Sequence, residues 1–156
     1  MKASGSTLLL VLLLSSASGQ EKPDFSGRYL LNPPKLSKHE KAPPPSSLRV
    51  TQNERSLEAT ITEGGHTRTT RYLLDGSPSE NLTEGGIPSR DTARLKGKAL
   101  TIESTVTRNA TVLHMKQKWQ LSRDSQTLTI HSSVQGTSLG ITTDLFSTDE
   151  IYTRQP

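Results

Sequence analysis

From Ala93 to Val134, apolar and polar side chains alternate through three successive turns. Only one pairing of the four segments keeps the apolar ones together. If Leu121 faces Leu128 across Arg123-Asp124-Ser125-Gln126, then Trp119 faces Ile130, Gln117 faces Ser132 and Met115 faces Val134. Lys116 and Lys118 then project to water together. Successive side chains of a strand point to opposite faces, so a slip of one residue would turn every one of them over. The preceding segment obeys the same rule. With Asn109-Ala110 as the turn, Val106 faces Leu113, Ser104 faces Met115, Ile102 faces Gln117 and Leu100 faces Trp119. A further turn at Gly97-Lys98 sets Leu95 beside Leu100 and Ala93 beside Ile102. Three hairpins sharing one mainly apolar face make an antiparallel meander.

The rest of the chain extends the pattern. Strands are expected at about 27–32, 47–52, 56–62, 67–74, 89–95, 99–107, 111–121, 127–135 and 148–154, with turn signals between them. Residues 33–46, rich in proline, and 75–88, with Gly76, Gly85 and Gly86, read as long connections. The nearest thing to a helical period, Lys35 to Lys41, is short, charged and closed by Pro43-Pro44-Pro45. Only 30% of the 156 residues are hydrophobic and 4% aromatic, which suits a sheet with one wet face better than one buried on both sides. The expected fold is all-β: an antiparallel up-and-down meander of eight to nine strands that hides its edges by closing into a barrel.

Residues 1–19 read as an export leader. Lys2 supplies the positive start, Leu8 to Leu14 the apolar run, and Ala17-Ser18-Gly19 a cleavage site before Gln20. The run is shorter than the ~20 residues a membrane span needs. Residues 20–156 then form one domain, secreted or periplasmic, touching a membrane only through its leader and expected to be a monomer. With no cysteine, it must hold without disulfides. The net charge is +4, its signs are interspersed, and the single Trp, three Tyr and two Phe are scattered. No aromatic platform for nucleic acid is visible, so no nucleic-acid partner is expected.

Four stretches carry a resemblance: "DFSGRYLLNP", "PPPSSLRV", "ARLKGKALTI" and "QKWQLSRDSQTLTI". With Gly27-Arg28-Tyr29 opening a meander, the chain resembles the lipocalin-like (calycin) β-barrels. It is most similar to bacterial secreted lipocalin-like proteins of unknown function, over most of residues 24–154. Lipocalins begin with Gly-x-Trp, whose aromatic plugs one barrel end; Tyr29 stands at that position here. The resemblance implies that Gly27 lets the chain enter the barrel floor, that Tyr29 plugs it, and that Arg154 packs over the ring. A phenol offers a guanidinium a poorer surface than an indole.

Signs of catalysis are lacking. There is no Gly-x-Ser-x-Gly, phosphate-cradling glycine loop or HExxH. His131 faces Lys118 rather than His114, leaving the two imidazoles about 14 Å apart, too far to share a metal. The carboxylates Glu54, Glu63, Asp75, Glu84, Asp124 and Asp149-Glu150 read as turn residues, and the sequon asparagines Asn81 and Asn109 likewise. No catalytic group, metal or cofactor is expected. Gln117 alone interrupts the inner row Leu113, Met115, Trp119, Leu121. It could anchor a ligand head group, with Tyr72, Ile102, Met115 and Trp119 around an apolar tail and Tyr29 closing the pocket below. Ser132 opposite and Ser104 diagonal could instead satisfy the amide with no ligand. Two functions follow. One is a non-catalytic binder of a small apolar or amphiphilic molecule; the other is a filled barrel that serves protein interaction, such as a periplasmic inhibitor or envelope factor.

Overall fold

The computed structural model describes residues 22–33 and 45–156. The leader, the Lys35–Lys41 stretch and most of the proline-rich connection lie outside the described residues. Ten antiparallel strands follow in chain order: β1 Gly27–Leu31, β2 Ser46–Gln52, β3 Ser56–Glu63, β4 His66–Leu73, β5 Ser79–Leu82, β6 Pro88–Lys96, β7 Ala99–Arg108, β8 Thr111–Leu121, β9 Thr127–Ser138 and β10 Ile141–Arg154. They pair in the order β4-β3-β2-β1-β10-β9-β8-β7-β6-β5, a meander whose first and last strands meet through β1 and β10. The result is a nearly closed barrel.

Every register expected between residues 93 and 134 is present, including Trp119 opposite Ile130, Leu100 opposite Trp119 and Ala93 opposite Ile102. The turns also fall where expected. Asn109 and Ser125 adopt positive φ, and Gly97 sits at φ +59°. The strand count of eight to nine needs correction to ten. The connection 75–88 contains β5, whose Ser-Glu-Asn-Leu carries no apolar alternation and pairs only with β6. The last hairpin also reaches further than the apolar pattern. β9 and β10 continue to a turn at Leu139-Gly140, both at positive φ. Beyond Val134 the residues are Gln, Gly, Thr and Ser, and without an apolar inner face the pairing leaves no sequence signal.

Alternation decides which face each residue takes. Outward positions carry hydroxyl pairs across the ladders, Thr60–Thr69 at 2.9 Å, Thr62–Thr67 at 3.0 Å and Thr137–Thr142 at 2.8 Å. This is how a chain so thin in apolar residues forms long strands: the wet face is built of β-branched threonine. Inward positions of β1–β4 and β6–β10, with Phe25 just before β1, form a core in which Phe25, Tyr29, Leu48, Leu57, Leu100, Ile102 and Leu128 are essentially sealed. Burial of one such side chain stabilises by about 1.5–3 kcal/mol. Trp119 closes the cluster edge-on to Phe25, ring centroids 6.2 Å apart.

The core is concentrated at one end. In an antiparallel meander the β1–β2, β3–β4, β5–β6, β7–β8 and β9–β10 connections share one end and the others the opposite end. At the end holding the N-terminal segment, Tyr29 pairs with Arg154 across β1 and β10. Its hydroxyl donates to the Phe25 carbonyl at 2.9 Å and accepts from Arg154 Nη2 at 2.7 Å, while the guanidinium carbon lies 5.1 Å from the ring centroid. Burial raises the phenol's pKa, partly offset by the Arg154 charge. Gly27 makes this floor possible. Its φ is +153°, and a Cβ there would sit 3.3 Å from both the Tyr29 ring and the Arg154 guanidinium carbon. Gly27→Ala is expected to cost about 1–3 kcal/mol through backbone strain and displacement of that stack. Urea unfolding followed by far-UV circular dichroism checks it, and an unchanged midpoint would show the floor tolerates a side chain.

Candidate functional site

Among the described residues the opposite end of the barrel is less completely filled by side chains, and its chemistry differs from the floor. Two volumes with some lining residues in common lie there. The outer one, about 580 Å3, sits between the β3–β4 turn and the β5–β6 loop, with Ile61, Glu63, His66, Arg68, Leu82 and Thr83 among its walls. The inner one is only about 80 Å3 and shares Ile61, Arg68, Leu82 and Thr83 with it. Deeper, the inner volume is walled by Tyr72, Asp91, Met115, Gln117, Trp119, Glu150 and Tyr152.

The long hairpin of β9 and β10 carries further apolar side chains at the same end. Phe146 is opposite Val134 and Leu113 opposite Gly136, so both continue the inner row. A β-bulge between Asp144 and Phe146 inserts Leu145. A Cβ at Gly136 would fall 3.3 Å from Leu145 Cδ1 and 3.6 Å from Leu113 Cδ2, which shows Leu145 lying over the glycine against Leu113. Bulges at barrel rims commonly re-aim a side chain in this way. Leu145 and Phe146 remain 52% and 57% exposed, and Leu139 and Ile141 beyond them more so.

Four of the six residues singled out by sequence, Tyr72, Met115, Gln117 and Trp119, line the inner cavity. Ile102 and Tyr29 lie elsewhere: Ile102 is sealed in the core, and Tyr29 belongs to the floor with Arg154. Gln117 Nε2 donates to Ser132 Oγ at 3.3 Å, and its carbonyl accepts from the Trp119 indole at 3.4 Å. The diagonal Ser104 lines the cavity without joining this chain. His131 faces Lys118 and bonds Asp149 at 2.6 Å on the outer surface.

Several polar residues here were not anticipated. Asp149 and Glu150 are strand residues of β10 rather than turn residues, and Glu150 faces inward beside Tyr152. Asp91 is buried on β6, and Arg68 stands where β4 meets both volumes. Asp91 was readable, since it lies two residues before Ala93 and so in the same inward row. Asn81 also leaves its expected turn. It lies on β5, where its Oδ1 accepts from the Arg71 amide at 2.8 Å and its Nδ2 donates to the Arg71 carbonyl at 2.9 Å and to Asp91 at 2.6 Å. Desolvation lifts the Glu150 carboxyl above the usual range, with Glu63 adding to the rise and the Tyr152 hydroxyl opposing it. Burial, then the Glu150 charge, push the Tyr152 phenol well up. Desolvation raises Tyr72 too.

No protein-family model matches the sequence, and no curated protein matches it. Solved structures share its fold. The REP1-NXSQ fatty acid transporter superposes with a TM-score of 0.57 at 10% identity, covering 85% of this chain and 96% of that one. Zebrafish ileal bile acid-binding protein, complexed with cholic acid, gives 0.54 at 13% identity, covering 84% and 98%. Secretory abundant heat soluble protein 4 from Ramazzottius varieornatus gives 0.57 at 14%, covering 88% and 98%. At such identities the likeness concerns the fold: a barrel of the fatty-acid-binding-protein and calycin kind.

Two outcomes follow from the cavity's polar groups. Gln117→Met strands the Ser132 hydroxyl and the Trp119 N–H, at an expected cost of about 1–2 kcal/mol. Adding Ser132→Ala should recover part of it, a coupling that denaturant melts of the four cycle members measure. For Glu150, a folded pKa above the unfolded one means the native state binds the proton more tightly. Its contribution is therefore lost as pH rises through and above the ordinary carboxylate range. Glu150→Gln should be more stable than wild type at pH 7, with the gap closing towards pH 4; a gap that widens on acidification would contradict the buried placement.

Proposed function

We propose that this protein is a non-catalytic barrel that binds a small amphiphilic molecule at the end opposite its floor. The observation that carries this reading is the exposed pair Leu145 and Phe146, with half-buried Leu113 beside Leu145, at the same barrel end as an inner cavity of mixed polar and apolar lining. Exposed apolar surface of this kind, rimmed by polar residues, commonly marks a binding groove. The outer volume of about 580 Å3 falls within the roughly 300–1,000 Å3 usual for small-molecule sites. The inner 80 Å3 does not, so an apolar tail is taken by the mouth rather than by the barrel centre. Neighbours named for fatty-acid transport and bile-acid binding lend the reading support by analogy of fold.

The small inner volume favours a second reading, a filled barrel whose exposed hairpin docks another protein. In either case the protein acts as a monomer outside the cytoplasm, released from its leader before Gln20. The support for export is Lys2, the Leu8–Leu14 run and Ala17-Ser18-Gly19.

Nile red, an uncharged reporter, separates the two. Bound dye should emit at shorter wavelength and be displaced by dodecyl amphiphiles, with Phe146→Ser weakening retention several-fold and leaving the melting midpoint unchanged. Dye that no amphiphile displaces would favour the filled-barrel reading.

A further inference from the structure

One buried carboxylate oxygen in the inner cavity has nothing to accept from. Asp91 is 2% exposed and lines that cavity. Its Oδ2 accepts from Asn81 Nδ2 at 2.6 Å and from Ser89 Oγ at 3.2 Å. Oδ1 is sealed from solvent and has no donor among the described residues. An ionised carboxylate is acceptor-only, and a buried acceptor without a donor is costly. Glu150 is a second carboxylate in the same wall, and Tyr72 and Tyr152 are the cavity's phenols. Arg68 is the one cation lining it, but Arg68 also lines the outer volume, whereas Asp91 lines only the inner one. Among the described residues the ion pairs are Lys116–Glu103 and His131–Asp149, so Arg68 neutralises neither acid by direct contact.

We propose that the inner cavity takes the primary ammonium head of a single-chain amphiphile. The head sets its charge against the Asp91 and Glu150 carboxylates, an N–H reaching Asp91 Oδ1 as the side chains that seal it part, and the tail runs outward past Leu113, Leu145 and Phe146. This rests on the amphiphile reading above and names its head group. At about 80 Å3 the inner volume is well below the roughly 300–1,000 Å3 of a small-molecule site, so it takes the head and not the chain. A carboxylate head would bring a third acid against Asp91 and Glu150, with Arg68 alone to offset it at the entrance. The preferred charge is thus opposite to that of the acids for which the structural neighbours are named.

The test is calorimetric titration of the full-length protein with dodecylamine, dodecyltrimethylammonium, dodecanoate and dodecanol, at neutral pH and below their micelle concentrations. Dodecylamine should bind about tenfold more tightly than each of the others, because only it offers both charge and an N–H donor. Asp91→Asn should bring dodecylamine affinity down to that of dodecanol, with Trp119 emission unchanged as the readout of an intact fold. If Asp91→Asn does not fold, the four-ligand comparison in wild type decides. Dodecylamine no tighter than dodecanol would mean that Oδ1 stays sealed from the cavity, and dodecanoate tighter than dodecylamine would assign the head group to Arg68. Either overturns the ammonium site and leaves the amphiphile reading standing. Binding of none of the four removes both.

Discussion

A meander of ten strands leaves two edges, and the barrel depends on how β4 and β5 hide theirs. An open edge presents unpaired N–H and C=O groups to any passing strand. No ladder joins these two strands, yet the gap is not empty. The Asn81 carboxamide meets both the N–H and the C=O of Arg71, taking the place of one peptide unit in a ladder. The same Nδ2 also reaches Asp91, which ties the seam to the inner cavity. Closure and site therefore share one side chain, and whatever engages Asp91 acts on the seam through it.

The two ends of the barrel solve different problems. At the floor, Phe25, Tyr29, Trp119 and the leucines fill the interior, and Arg154 lies across the tyrosine as a lid. The phenol works there because it offers two contacts at once, a ring face and a hydroxyl that accepts from the guanidinium. An indole presents a better face but has no acceptor. At the mouth the apolar residues retreat to the rim, on a hairpin that continues past the barrel. In the depth, Asp91, Gln117 and Glu150 stand among Ile61, Val106, Met115 and Ile130. This distribution runs counter to a stability optimum, since apolar side chains at positions 91, 117 and 150 would bury area without needing partners.

Hairpin registers, turn positions and the inward row from Ala93 to Val134 were legible from sequence alone, because cross-strand neighbours in a meander are close along the chain and a slip would invert the pattern. Gln117 and its serine partner followed from that register. Strand β5 and the far half of the β9–β10 hairpin were not legible, since Ser, Thr, Gly and Asn carry no periodic apolar signal. Glu150 was hidden by its neighbour Asp149, the pair looking like a turn although only one of them faces inward.

The period-two alternation by itself determined an all-β meander, its registers and which residues share a face. Tertiary structure alone decided what lies across the barrel. Residues on β4, β6, β8 and β10 meet in one cavity only after the sheet curls, and local periodicity carries no information about curvature or closure. The seam at Asn81, the unpartnered oxygen of Asp91 and the small inner volume all arise there. They depend on side chains meeting through space, not along the chain.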